Sequence, residues 1–200
     1  MQVSPTILSK QLWCVGVLLL FVMTTTAFAD QQDTDAEIAA AETFIRTVLK
    51  NDAEAIIEQL ENGADVNQVT GTGQSILCAA SMLGKQRAVE VLLDYGAELT
   101  DACVITAVAN GRAAITELFL ECGKSPDLLT AENGDHLLHM AVRAAYVDVV
   151  VVLLEQGADP SLKNSNGLTP HDLIRQRGEV IQLIENLLDN AAQQGKAETP

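Results

Sequence analysis

Aromatic residues are scarce: the 200 residues include four Phe, two Tyr and one Trp, 4% in all. A core without many large rings has to be closed by Ala, Leu, Val and Ile, and this favours tightly packed helices over a sandwich. Basic residues are few as well, 12 Lys and Arg against 27 Asp and Glu, for a net charge of −15. Phosphate backbones and anionic lipid repel such a chain at long range, so nucleic acid and the membrane surface are not expected partners. The length suits one ordinary domain and not two well-packed ones. Catalytic signatures are also missing: there is no G-x-S-x-G, Walker A loop, H-E-x-x-H, dinucleotide glycine fingerprint or C-x-x-C pair. The expectation is a protein with no catalytic residues, no cofactor and no metal.

The single long apolar run belongs to the N-terminus. Lys10 precedes Leu12 to Met23, and Thr residues then lead to Ala27-Phe28-Ala29 before Asp30. A positive start, a short apolar run and a small-x-small site are the three parts of a secretory signal peptide. The alternative is an uncleaved anchor, but twelve apolar residues span only about 18 Å of a hydrocarbon layer about 30 Å thick. Residues 1–29 are therefore expected to be a signal peptide, removed after Ala29 to leave no stable membrane anchor. A chain starting at Asp30 has 27 acidic and 11 basic residues, a net charge of −16, and three cysteines, Cys78, Cys103 and Cys122. Export would place these in an oxidising compartment, where an odd count permits one bridge and leaves one thiol.

Beyond an acidic tail at 30–36, the chain repeats itself. Gly63-Ala64-Asp65, Gly96-Ala97-Glu98, Gly123-Lys124-Ser125 and Gly157-Ala158-Asp159 each follow an apolar helical stretch, and their glycines are 33, 27 and 34 residues apart. The stretches Ala88 to Leu93, Ile115 to Leu120 and Val149 to Leu154 match one another. Each would bury one stripe without standing alone, as expected of a repeat that needs its neighbours.

With Asn166-Gly167-Leu168-Thr169-Pro170-His171-Asp172, Asn133-Gly134-Asp135-His136-Leu137-Leu138-His139-Met140-Ala141 and Gly73-Gln74-Ser75-Ile76-Leu77-Cys78-Ala79-Ala80, these segments resemble ankyrin repeats. That resemblance covers residues 37 to 190 and implies an all-α solenoid of about five stacked helix-turn-helix repeats with short hairpin fingers. The helix pairs fall at 37–62, 74–95, 101–122, 135–156 and 168–189, ahead of a polar tail at 191–200. Only Ala97 to Thr100 separate Gly96 from the next helix, so one finger is truncated.

Local chemistry supports the same register. The four loop glycines sit just past helix ends, where a left-handed backbone is cheap for Gly. Thr169 is placed to cap a helix and Pro170 to open it. Ala145 and Asn51 stand where the family has a turn glycine. Cys103 and Cys122 fall in the first and last turns of antiparallel helices at one end of the third repeat, which makes a Cys103–Cys122 bridge the candidate disulfide; the alternative is three free cysteines. Cys78 occupies the buried TPLH histidine position.

Among the histidines, His136 and His139 are spaced i, i+3 beside Asp135, and would seat a metal only if a third ligand came from elsewhere. In the resembled family the His139 position ties adjacent loops by hydrogen bonds, and that structural role is the expectation. The family also implies where a protein partner binds: finger tips and the exposed ends of first helices, forming one concave surface. By register this takes Val69, Thr72, Gln74, Met82, Leu83, Asp101 and Asn110, then Glu132, Asn133, Asp135 and Arg143, then Lys163, Ser165, Asn166 and Arg177. The likeness extends to small bacterial periplasmic ankyrin proteins, so the expected protein is an exported, monomeric, non-enzymatic binding module of the periplasm, or secondly of the extracellular space. Stress defence or toxin neutralisation are the implied processes. A secreted effector acting on a host protein, and a hydrolase or metal-dependent enzyme on a repeat scaffold, are the rival readings.

Overall fold

A computed structural model of the chain describes residues 38–130, 134–174 and 181–197. The chain divides into two compact units, Met1–Thr43 and Phe44–Pro200. In the first, the described residues 38–43 are helical, and the Thr43 hydroxyl donates to the Ala39 carbonyl at 2.8 Å. The signal-type segment 1–29 and the acidic stretch 30–36 lie outside the described residues.

The second unit opens with helical residues 44–50, α1, followed by α2 (Ala53–Glu61). Three further pairs follow: α3 (Ile76–Met82) with α4 (Gln86–Asp94), α5 (Asp101–Ala109) with α6 (Ala113–Glu121), and α7 (Leu137–Ala144) with α8 (Val147–Glu155). A fifth pair is formed by α9 (Pro170–Ile174) and α10 (Ile181–Ala197). No strand is present among the described residues; the architecture is an all-α, ankyrin-type solenoid. First helices stack on first helices, α3 on α5 on α7 on α9, and second helices on second helices, α2 on α4 on α6 on α8 on α10.

The sequence periodicity explains this stacking. The second helices bury the same three register positions, Ala88/Val89/Leu92 in α4, Ile115/Thr116/Phe119 in α6 and Val149/Val150/Leu153 in α8. Spacing of i, i+1 and i+4 makes one stripe, which faces the neighbouring pairs. The central first helix α3 is buried from Ile76 through Ser81, as required of an element packed on several sides. The one buried hydroxyl of α6, Thr116, is satisfied by donating to the Arg112 carbonyl at 3.0 Å.

Each Gly-Ala-Asp type signature is a helix stop. After α4, the Gly96 N–H donates to the Leu93 carbonyl and the Ala97 N–H to the Leu92 carbonyl. After α8, Gly157 and Ala158 repeat this pattern on Leu154 and Leu153. That is the paired bond of a Schellman cap, with the first residue left-handed and the second, Ala97 or Ala158, tucked into the core at 8% and 5% exposure. The tighter turns inside each pair also serve the stack. A Cβ on Gly84 would come within 3.2 Å of the Arg112 guanidinium, and one on Gly111 within 3.1 Å of the Tyr146 ring. In both cases a side chain of the next pair lies across the glycine of the preceding one. Asn51 and Ala145, which replace glycine in the first and fourth pairs, adopt φ of 63° and 58°.

Two fingers are marked by single antiparallel bridges, Val69 with Ser75 and Leu129 with His136. A third is closed by the Asn164 N–H donating to the Leu168 carbonyl at 2.9 Å. Between α4 and α5 the chain passes from the Gly96 cap straight into the helix at Asp101, so the finger row is interrupted there.

Two expectations are corrected. Cys103 is bonded to Cys78 and not to Cys122, which is an exposed free thiol. Without a finger, the start of α5 lies directly against α3, and the Cys78 and Cys103 Cα atoms are 4.5 Å apart. Cys103, fully buried, faces the preceding pair, whereas Cys122 caps the outer end of α6. The polar residues after Asn190 also continue α10 as far as Ala197, because Ala, Gln and Lys there are good helix formers.

Candidate protein-binding face

The first helices and fingers present the residues singled out by register, and the structure separates them into those free to meet a partner and those already committed. Val69 is 53% exposed and Leu83 45% exposed, both large for apolar side chains. Thr72, Lys163, Ser165 and Asn166 are also exposed, while Gln74 and Met82 are partly buried. Asn110 is exposed but turns its amide back onto the Thr106 carbonyl at 2.8 Å, closing its own helix. Asp101 is exposed and paired with Lys124 at 2.8 Å. Glu132, Asn133 and Arg177 lie outside the described residues.

Asp135 is a correction. It is 3% exposed and accepts from Asn164 Nδ2 at 2.7 Å and from the Arg143 guanidinium. A buried carboxylate needs such donors, and holding them removes it from any partner surface. Arg143 remains exposed, but its guanidinium is directed to Asp135.

One exposed residue was missed by register reasoning. Leu129 is 62% exposed and holds the same finger position as Val69. The signal was present in the sequence: Val69-Thr70 and Leu129-Thr130 both place an apolar residue before Thr, and both threonine N–H groups close the finger, onto Gln74 and Asp135 carbonyls. Lys163 stands at the corresponding place before Asn164 in the third finger.

The histidine pair is part of the scaffold. The backbone N–H of His136 donates to His139 Nδ1 at 3.3 Å, and His139 Nε2 is 2.9 Å from the Leu168 carbonyl. A carbonyl only accepts, so Nε2 carries the proton and His139 is a neutral imidazole bridging the fourth and fifth pairs. Burial pushes its pKa below the usual histidine value, opposed by the Leu168 hydrogen bond and by Asp135. His136 Nδ1 lies 2.9 Å from the Asp127 carbonyl. With these nitrogens engaged, the pair has little left for a metal; among the described residues, no three His, Cys, Asp or Glu side chains are grouped to hold one.

Further side-chain bonds lock neighbouring pairs at the finger bases. Asn67 Oδ1 accepts the Glu98 N–H at 2.8 Å, and Asp127 Oδ1 accepts the Asp159 N–H at 2.9 Å. At the other end of the helices, Asn51 Oδ1 accepts the Ala88 N–H at 2.9 Å. The chemistry visible on this face is therefore recognition: apolar tips, hydroxyls and amides on a hydrogen-bonded frame.

Comparison with known proteins agrees with this geometry. Residues 119–174 match the family model described as ankyrin repeats (many copies). The chain is 38% identical to the human 2-5A-dependent ribonuclease over 77 residues, covering 38% of this chain and 10% of that protein. It is 31% identical to the E3 ubiquitin-protein ligase Ufd4 of Drosophila melanogaster over 148 residues, 68% of this chain and 5% of that protein. A putative palmitoyltransferase, ZDHHC13 of Danio rerio, is 30% identical over 128 residues, 60% of this chain and 20% of that protein. The chain thus spans a fifth or less of each of these three relatives. Stacked helix pairs, glycine-capped second helices, a bridging TPLH-type histidine and the family match together identify this chain as an ankyrin-repeat protein, built on a protein–protein interaction scaffold.

Proposed function

We propose that this protein is an exported, non-enzymatic module that holds a protein partner against its first-helix and finger face, acting as a monomer in the periplasm. The observation that carries the reading is the exposure of Val69, Leu83 and Leu129 on a face that the stack does not need for its own cohesion. Exposed apolar anchors among polar neighbours are what an interface centre requires. The three relatives bear names of different activities, and each shares only a small part of its length with this chain, which favours a common binding scaffold over a common reaction.

Export is supported by the sequence of residues 1–29 and by the bonded Cys78–Cys103 pair, since disulfides persist outside reducing cytosol. Stress defence and toxin neutralisation are the processes this reading favours. A host-directed effector would use the same face at a different destination.

The reading is tested by affinity capture from native periplasmic extract, comparing wild-type protein with a Val69→Asp/Leu83→Asp variant. A protein retained by the wild type and lost by the variant is expected; equal retention by both overturns the face assignment. Mass measurement of the exported fraction should give a chain beginning at Asp30, and an intact Met1 terminus there would contradict cleavage.

A further inference from the structure

The junction between the second and third helix pairs differs from the others. It lacks a finger, and its two sides are unequally held: α3 and α5 pack more closely than any other first helices, while α4 and α6 meet more sparsely than other neighbouring second helices. The first and third pairs each reach across to the next pair with a finger-base bond, from Asn67 to the Glu98 N–H and from Asp127 to the Asp159 N–H. At the corresponding place the second pair has Thr100, already at the start of α5. A side-chain hydrogen bond that does cross, the Arg112 Nε donation to the Met82 carbonyl at 3.1 Å, is solvent-exposed. Exposed polar contacts of this kind add little rigidity in water.

The covalent bond lies at this same junction. Cys78 and Cys103 sit in the first turns of α3 and α5, at 4% and 0% exposure. We propose that the Cys78–Cys103 bond is a redox clasp on a hinge: oxidised, it fixes the angle between residues 44–95 and 101–197; reduced, it lets these two sub-stacks pivot about the α3–α5 contact without unfolding either.

The reaction is thiol–disulfide exchange with a dithiol reductant. One reductant thiolate attacks a cysteine sulfur and forms a mixed disulfide; the second resolves it. The reductant leaves as a disulfide, and Cys78 and Cys103 each gain one electron and one proton. Burial of both sulfurs means that attack waits on opening of the junction. The product thiols are also provided for. Thr100 Oγ1 lies 3.9 Å from Cys78 Sγ and 3.4 Å from Cys103 Sγ, and Ser75 Oγ lies 3.8 Å from Cys103 Sγ. These hydroxyls can accept from the thiols, so reduction leaves no buried donor without a partner nearby. This inference concerns the mechanics of the stack and stands independently of the binding face.

Hydrogen exchange read by mass spectrometry tests it on the full chain in three states: oxidised, reduced with dithiothreitol, and reduced then reoxidised. Reduction should accelerate exchange in peptides covering 76–83 and 97–109 by at least about tenfold, leave 137–155 within about twofold, and preserve far-ultraviolet helicity. Reoxidation should restore the slow pattern. A Cys78→Ala/Cys103→Ala variant should match the reduced state, and Cys122→Ser should behave as wild type. Unchanged exchange at 76–83 and 97–109 on reduction would overturn the hinge. So would equal acceleration everywhere, which would make the bond a support of the whole fold.

Discussion

The Asn164 amide donates to Asp135 Oδ1 at 2.7 Å across 29 residues of chain, while Asn164 Oδ1 accepts the backbone N–H groups of Asn166 and Leu168. One buried side chain therefore shapes the third finger and ties it to the second. The Leu168 carbonyl then receives the His139 proton, so the same few residues join finger geometry to helix stacking.

Replacing Asp135 with Ala should be costly. It strands the Asn164 amide and releases the Arg143 head, and a buried donor left without its partner costs about 1–3 kcal/mol. We expect a loss near the middle of that range, about 2 kcal/mol, from urea unfolding with unchanged slope. A change below about 0.5 kcal/mol would mean the network is not formed in solution.

Acid should weaken the protein through His139. Its folded pKa lies below the ordinary histidine value, chiefly by burial, so below about pH 6.5 the unfolded chain binds the proton more readily than the fold does. The stabilisation is present above that value and is lost as pH falls through the lowered folded pKa. Thermal midpoints measured from pH 7.5 down to 5 should fall more steeply for wild type than for His139→Gln. Parallel curves would contradict the assignment.

Ala145 occupies a left-handed turn at φ 58°. An L side chain there is strained by about 1 kcal/mol relative to glycine, so Ala145→Gly should raise stability by a similar amount. Differential scanning calorimetry would register this as a higher midpoint; a lower one would show that the Ala145 methyl is stabilising.

Removing the Cys78–Cys103 bond should lower stability by about 3.5 kcal/mol, the chain-entropy value for its 25-residue separation. Cys122→Ser, at an exposed position, should stay within about 0.5 kcal/mol. Peptide mapping of unreduced protein should find Cys78 linked to Cys103 and Cys122 open to alkylation.

The fold was legible in the sequence because its punctuation is local. A glycine past a Leu-rich turn bonds to the carbonyl three positions back and the alanine after it to the carbonyl five positions back from itself, so Gly96 and Gly157 declare helix ends without tertiary knowledge. The truncated finger was legible in the same way, by counting from Gly96 to Asp101. The disulfide was not: the closeness of Cys78 to Cys103 follows from how far the missing finger draws α5 onto α3, a distance between repeats that no local spacing encodes. Asp135 was misread for the same reason. Its finger position is common to exposed residues, and only Asn164, supplied by the next finger, buries it.

The central claim is that the first-helix and finger face binds a protein, and equilibrium affinity for the captured partner tests it most directly. Val69→Asp/Leu83→Asp should weaken binding by about 30-fold or more, equivalent to about 2 kcal/mol, with the thermal midpoint nearly unchanged. Glu90→Lys/Glu117→Lys, on second helices, should leave it within about threefold. Binding that survives the first pair of substitutions and is lost on the second would contradict the account.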